Sequence, residues 1–351
     1  MSLVFGHQWL GGLFGDPAIE ALWSADAQLA HYRAFEVALA QALATAGIVT
    51  EQEAQRAAQV ISNQPIAPED LAADTARDGL PIPAFVRILR KAAGEAGRAV
   101  HTGATSQDVL DTALALTLRG VTDVLLARLK TLDAQLAALE GRFSDATLMG
   151  RTRMQAALPI TAGHRLASWR APLADHIAAL GVLRPMTERL QLAGAVGTRA
   201  EFKGHGDAIA AQMAHALGLV PSPVWHTDRN GIVAFGSRLS QITGSMGKIG
   251  QDIALMAQQG IGEIVLATGG GSSAMPHKSN PILAELLVTL ARVNSGHVAS
   301  LHQALVHEQE RSGAAWMIEW MVLPQICVIA ARATAAAAEL CGQVTHLGSQ
   351  A

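Results

Sequence analysis

Residues 105–143 read TSQDVLDTALALTLRGVTDVLLARLKTLDAQLAALEGRF. Within them Leu110, Leu114, Leu118, Val121, Leu125, Leu129, Leu132, Leu136, Leu139 and Phe143 return every three or four residues, the period of one helix face. Thr105-x-x-Asp108 fits a capping box that opens this helix, and Gly103 breaks what comes before it. At 1.5 Å per residue the stripe runs roughly 50 Å. A helix of that length is not covered within a domain of ordinary diameter, so it predicts a bundle of long helices with coiled-coil-like packing. A second stripe, Phe235, Leu239, Ile242, Met246, Ile249, Ile253 and Met256, steps by four and three without a break. The expected fold class is all-α.

Composition agrees. Half of the 351 residues are hydrophobic but only 4% are aromatic, and this Ala/Leu/Val/Ile mixture suits packed helices better than a β-sandwich. A net charge of -3 gives no reason to expect nucleic acid or an anionic membrane as partner. Cys327 and Cys341 sit in an apolar helical pattern and read as buried thiols, too few for a disulfide framework. The start lacks the basic residues of a signal peptide, and no eighteen-residue apolar run occurs, so a cytoplasmic protein without a membrane span is expected.

Elsewhere the spacing predicts a helix over 24–46 with Ser24 as cap and Gly47 as stop. Thr50-x-x-Glu53 opens another that must end before Pro65. Segment 63–83 reads as loop and short turns. Residues 161–195 and 281–306 supply further helices, the first interrupted by Pro172 and Pro185. No β-alternation, Rossmann, P-loop or zinc spacing is recognised, and no metal or cofactor is implied.

Three polar clusters interrupt the apolar pattern. His101-Thr-Gly-Ala-Thr105-Ser106-Gln107-Asp108 stands at the mouth of the long helix. Gly150-Arg151-Thr152-Arg153-Met154-Gln155 reads as the beginning of a helix, either an anion clamp or a solvated basic turn. The third is Thr268-Gly-Gly-Gly-Ser272-Ser273-Ala-Met275-Pro276-His277-Lys278-Ser279-Asn280-Pro281. Its glycines suggest a backbone that packing alone does not hold still. Asn280 as N-cap and Pro281 as first helical residue would put Lys278 at a helix mouth, where unpaired N–H groups attract anions.

The string Gly-Ser-Ser-Ala-Met-Pro-His-Lys-Ser-Asn-Pro resembles the signature loop of the fumarase/aspartase superfamily, with Ser279 where relatives often carry a basic residue. Trp225-His226-Thr227, the opening Phe14-Gly-Asp-Pro17 to Trp23-Ser24, Gln107 in Thr-Ser-Gln-Asp, and His307 to Trp320 are similar to its 3-carboxy-cis,cis-muconate cycloisomerase branch. Gly79-Leu-Pro81-Ile-Pro83 lacks the His-Asp-Val element of the adenylosuccinate branch, and Arg153 replaces the histidine of the lyase pattern Arg-Thr-His-x-Gln. The resemblance covers residues 1–340. It implies a homotetramer whose core is formed by helices from all subunits, with active sites shared between subunits. It also implies an N-terminal helical domain over 1–103, a central bundle over 104–340, and a tail over 341–351 in place of the usual C-terminal domain.

Carried over by motif, Ser272 is the proton donor, or the base in reverse. Lys278 and Asn280 stabilise charge, and His101 stands beside them in the catalytic set. Thr105, Ser106, Gln107, Arg151, Thr152, Arg153, Gln155, Ser273, Met275 and His277 would contact a small di- or tricarboxylate. His277 reads equally as a donor to ligand or as a loop-packing residue, and Arg153 as substrate-facing or salt-bridged. The implied reaction is lactonisation of a 3-substituted muconate in aromatic catabolism of the protocatechuate type. A fumarate-releasing lyase and a non-catalytic homologue are the alternatives.

Overall fold

The computed structural model describes residues 4–275 and 277–349; Pro276 of the signature loop and the chain ends lie outside them. Helices α1 (Gly11–Phe14) and α2 (Pro17–Leu22) lead into α3 (Ala25–Thr45) and α4 (Glu51–Asn63). α5 (Glu69–Asp78) and α6 (Ile82–Ala93) follow, then a 3-10 turn and the long α7 (Ser106–Phe143). A hairpin of β1 (Thr147–Thr152) and β2 (Gln155–Thr161) joins α7 to α8 (Ala162–Thr187). After α9 (Gly206–Leu217) come α10 (Asn230–Met256), β3 (Ile264–Leu266), α11 (Ile282–Gln303), α12 (Ala314–Gly342) and β4 (Val344–Leu347). The fold is all-α, with two short antiparallel ribbons, β1–β2 and β3–β4, attached to it.

The caps lie where the side chains allow. Ser24 Oγ accepts the Ala27 N–H at 3.2 Å, and Thr50 and Glu53 exchange the reciprocal bonds of a capping box. At the head of α7, Thr105 N–H donates to Asp108 Oδ2 at 3.0 Å. Both apolar stripes are core. From Leu118 to Leu139 the α7 stripe is buried, and every residue of the α10 stripe is at most 3% exposed.

Two cores result. One is built where α7, α8, α10, α11 and α12 pack side by side, joined by Phe5 and Ile19. The other gathers α3 to α6, the first turns of α7 and the segment from Leu190 to Leu219. α7 belongs to both, so it is the beam that connects them. By length and composition α12 is long and apolar enough to cross a membrane. It lies against α7, α10 and α11, with 61% of its most apolar window buried in the protein.

Four expectations change. Segment 63–83 is not loop throughout: Glu69 and Asp70 occupy the first turn of α5, and left-handed Gly79 (φ 77°) ends it by donating to Thr75 O at 2.8 Å. Residues 150–159 begin no helix but lie in the β1–β2 hairpin, Thr152 opposite Gln155 across a two-residue turn. Arg153 (φ 49°) and Met154 (φ 66°) are both left-handed, as a primed turn matching strand twist requires. The helix expected over 161–195 stops at Thr187, the end of α8. Lastly, α11 begins at Ile282 with Pro281 at its cap position, so Asn280 does not cap it.

Candidate active site

At the head of α7, His101 has a left-handed backbone (φ 59°), and its N–H and Nδ1 both meet the buried carboxylate of Glu36, at 2.8 and 2.6 Å. Thr105 and Ser106 are half-buried. His101 and Ser106 line a cavity of about 420 Å³ with Ile82, Pro83, Val86, Arg87 and Arg90. Gln107 turns the other way and is 1% exposed. Its amide nitrogen donates to Asp111 Oδ2 and His226 O, and its oxygen accepts from Arg311 Nε at 2.9 Å. Both ends of the Gln107 amide, expected at the substrate, are thus engaged by protein groups.

The Gln107 tie leads into a network that sequence reasoning missed. Arg229 is fully buried and makes paired bonds to Asp111 (2.8 and 3.0 Å) and to Glu319 (2.8 and 2.5 Å). The guanidinium groups of Arg189 and Arg229 each lie over the Trp225 ring, 4.9 Å from its centroid. Burial works against the charge on Arg229, but Asp111 and Glu319 outweigh it and raise its pKa. Burial also raises Glu319, with Arg229 opposing. The network joins the heads of α7, α10 and α12, and so fixes the end of the helix that presents Thr105 and Ser106. Charged residues inside the apolar periods, such as Asp108 and Asp111, were the signal that would have found it.

The second cluster sits on the hairpin beyond the other end of α7. Arg151 donates from Nη1 to both oxygens of Glu263 at 2.8 Å, and Glu263 is buried. Its clamp is thus closed on a protein carboxylate. Arg153, at the turn, has no ion pair among the described residues and lines a cleft of about 370 Å³ with Arg165, Lys248 and Asp252. Thr152 and Gln155 are exposed at the ribbon end.

The third cluster is the loop before α11. Gly270 and Asn280 exchange backbone bonds at 2.8 and 2.9 Å, so the loop is pinned at its neck. A Cβ on Gly269 would stand 2.0 Å from Ser279 Oγ, and one on Gly270 2.4 Å from Ile282; Gly271 faces open space. The first two glycines are therefore needed for close approach, and only Gly271 keeps the freedom expected of all three. Ser272 Oγ accepts the Met275 N–H at 3.2 Å. Asn280 Nδ2 reaches Gly271 O at 3.5 Å. Ser273, Met275, His277 and Lys278 are exposed, and Lys278 has no ion pair among the described residues. Met275, His277, Lys278 and Asn280 line a cleft of about 970 Å³ with Glu285, Thr289 and Arg292.

These positions decide what one chain can do. Asn280 and Arg151 share a cleft of about 780 Å³, so the loop and the hairpin adjoin. The His101–Ser106 cluster lies at the opposite end of α7, a helix of 38 residues, which spans roughly 57 Å. No small substrate bridges that distance, so the three clusters do not form one site within a chain.

Residues 15–296 match the family model described as Lyase. The chain is 37% identical over 341 residues to the 3-carboxy-cis,cis-muconate cycloisomerase of Pseudomonas aeruginosa, covering 95% of this chain and 74% of that protein. The crystal structure of 3-carboxy-cis,cis-muconate lactonizing enzyme from Pseudomonas putida matches with a TM-score of 0.90 at 34% identity, over 97% of this chain and 77% of that one. An adenylosuccinate lyase of Archaeoglobus fulgidus is 34% identical over 326 residues, 90% of this chain and 72% of the relative. With a matched family model over most of its length, the loop from Ser272 to Pro281 and a shared long-helix bundle, this chain belongs to the lyase family of the fumarase/aspartase superfamily.

Proposed function

We propose that the protein closes 3-carboxy-cis,cis-muconate, or a close 3-substituted analogue such as 3-sulfomuconate, to the corresponding muconolactone. In this reading it works as a homotetramer that brings the α7 head of one subunit to the loop and hairpin of others. One substrate carboxylate oxygen forms a C–O bond to a carbon of the conjugated double bond. The displaced π pair moves to the carbon beside another carboxylate and is taken up there by a proton. The nucleophile is already ionised at neutral pH, so closing the ring needs no general acid for a leaving group.

The residues supply what remains. Lys278 and the amide of Asn280 face the charge that spreads onto the conjugated carboxylate, worth a few kcal/mol in a dry site. Ser272 hands its proton to the carbon, and the Met275 N–H already on Ser272 Oγ supports the alkoxide left behind. Thr105 and Ser106 hold a second carboxylate at the helix head. The observation that carries the reading is Arg153, which puts an unpaired guanidinium on the hairpin tip. Guanidinium stays protonated and is no acid catalyst at neutral pH, but it grips an acidic substituent with two parallel N–H bonds.

Likeness to an adenylosuccinate lyase favours a second reading, elimination with release of fumarate. Assays of the purified protein on a panel of muconates and on adenylosuccinate decide between them. Consumption of the 3-substituted diene supports lactonisation, and fumarate from adenylosuccinate with an untouched diene refutes it.

A further inference from the structure

Glu36 lies on α3, is fully buried, and both of its oxygens serve His101. Among the described residues it has no lysine or arginine partner, and such a buried carboxylate is costly to keep unless its hydrogen bonds are fully used. His101 in turn adopts a left-handed backbone, strained for a residue with a Cβ, and the Glu36 bond to its N–H holds that conformation. A carboxylate can only accept, so Nδ1 carries a proton and the tautomer is fixed. Nε2 is left as the free nitrogen of a side chain 12% exposed that lines the cavity beside Ser106. The neighbouring guanidinium groups are engaged elsewhere, Arg87 with Asp74 and Arg90 with the Val100 carbonyl.

We propose that Glu36 is a positioning residue that aims His101 Nε2 at a carboxylate of the substrate held by Ser106. The proposal deepens the functional reading above and rests on it for the class of ligand, a di- or tricarboxylate. Between Glu36 on one side and the bound anion on the other, the ring carries both protons, Nδ1–H donating to Glu36 and Nε2–H to the substrate. The two bonds to Glu36 keep the ring in place before substrate arrives, so little ordering remains to be done on binding.

Calorimetric titration of the assembled protein with tricarballylate, a saturated tricarboxylate that cannot lactonise, tests this. Glu36→Gln and His101→Gln are each expected to weaken binding by roughly tenfold or more, the loss of one charge-assisted bond. The double variant is expected to bind no more weakly than His101→Gln, because Glu36 acts through the ring. Additive losses, unchanged binding in Glu36→Gln, or no binding by the wild type each overturn the proposal. If Glu36→Gln does not fold, Glu36→Asp replaces it in the same cycle. Since the probe is unreactive, the cycle stands apart from turnover. A wild type that binds as expected yet leaves every muconate unchanged refutes the functional reading alone.

Discussion

Arg229→Met removes the one cation from a buried site that holds two carboxylates. Asp111, Arg229 and Glu319 are each at most 1% exposed, so water does not replace the lost partner. One carboxyl must then take up a proton and donate it to the other. For a group of ordinary pKa about 4.3 this costs roughly 3.7 kcal/mol at pH 7, at 1.36 kcal/mol per pH unit. The figure falls within the roughly 3–5 kcal/mol typical of a broken buried pair. In the variant the carboxyl that holds the shared proton has a folded pKa above its unfolded one, so the stability it contributes is present at low pH and lost as pH rises. The deficit against wild type should shrink by about 1.4 kcal/mol per unit, to roughly 1 kcal/mol at pH 5. Urea unfolding followed by circular dichroism, at one protein concentration and at pH 5, 6 and 7, measures it. A deficit that is constant across that range, or below about 1 kcal/mol at pH 7, would show that no buried carboxyl is forced to take up a proton. Replacing Asp111 and Glu319 by leucine in the same chain should recover most of the loss.

Ser272→Ala and Lys278→Met are each expected to lower turnover by about a hundredfold or more while light scattering shows an unchanged assembly; near-normal turnover removes the corresponding role. Arg153→Ala should cost the 3-substituted muconate about ten- to a hundredfold in kcat/KM and plain cis,cis-muconate far less. Equal losses on both would assign Arg153 to the common chemistry or the fold. Gly270→Ala, which crowds Ile282, should lower stability by about 1–3 kcal/mol and disturb turnover with it. Gly271→Ala, which meets open space, should stay within about 0.5 kcal/mol; thermal unfolding of the two variants compares them.

The long helices were legible because their stripes are uninterrupted and their caps are strong: the α10 stripe and the α7 stripe from Leu118 to Leu139 are buried as read from spacing, while Leu110, Leu114 and Phe143 are half-buried. The hairpin was not, for a physical reason. β2 faces solvent along nearly all of its length and contains Pro159, so it shows no apolar alternation, and its turn has neither glycine nor asparagine. α5 was hidden by the prolines around it, although its acidic first turn and Gly79 were helix signals. At the candidate site, residue types were readable but partners were not. Nothing in the spacing links Arg151 to Glu263, Gln107 to Arg311, or His101 to Glu36, which are 112, 204 and 65 residues apart. Such pairings depend on how helices are stacked, and helix periods carry no information about that.

The product formed in heavy water reports the identity of the reaction. Incubation of the purified protein with 3-carboxy-cis,cis-muconate in D₂O, followed by proton NMR, should show a single muconolactone. It should carry one deuterium on the carbon beside a carboxylate, put there by the proton that Ser272 delivers. Unchanged diene in that tube, together with fumarate appearing when adenylosuccinate is supplied instead, would show an eliminating lyase and no lactonising enzyme.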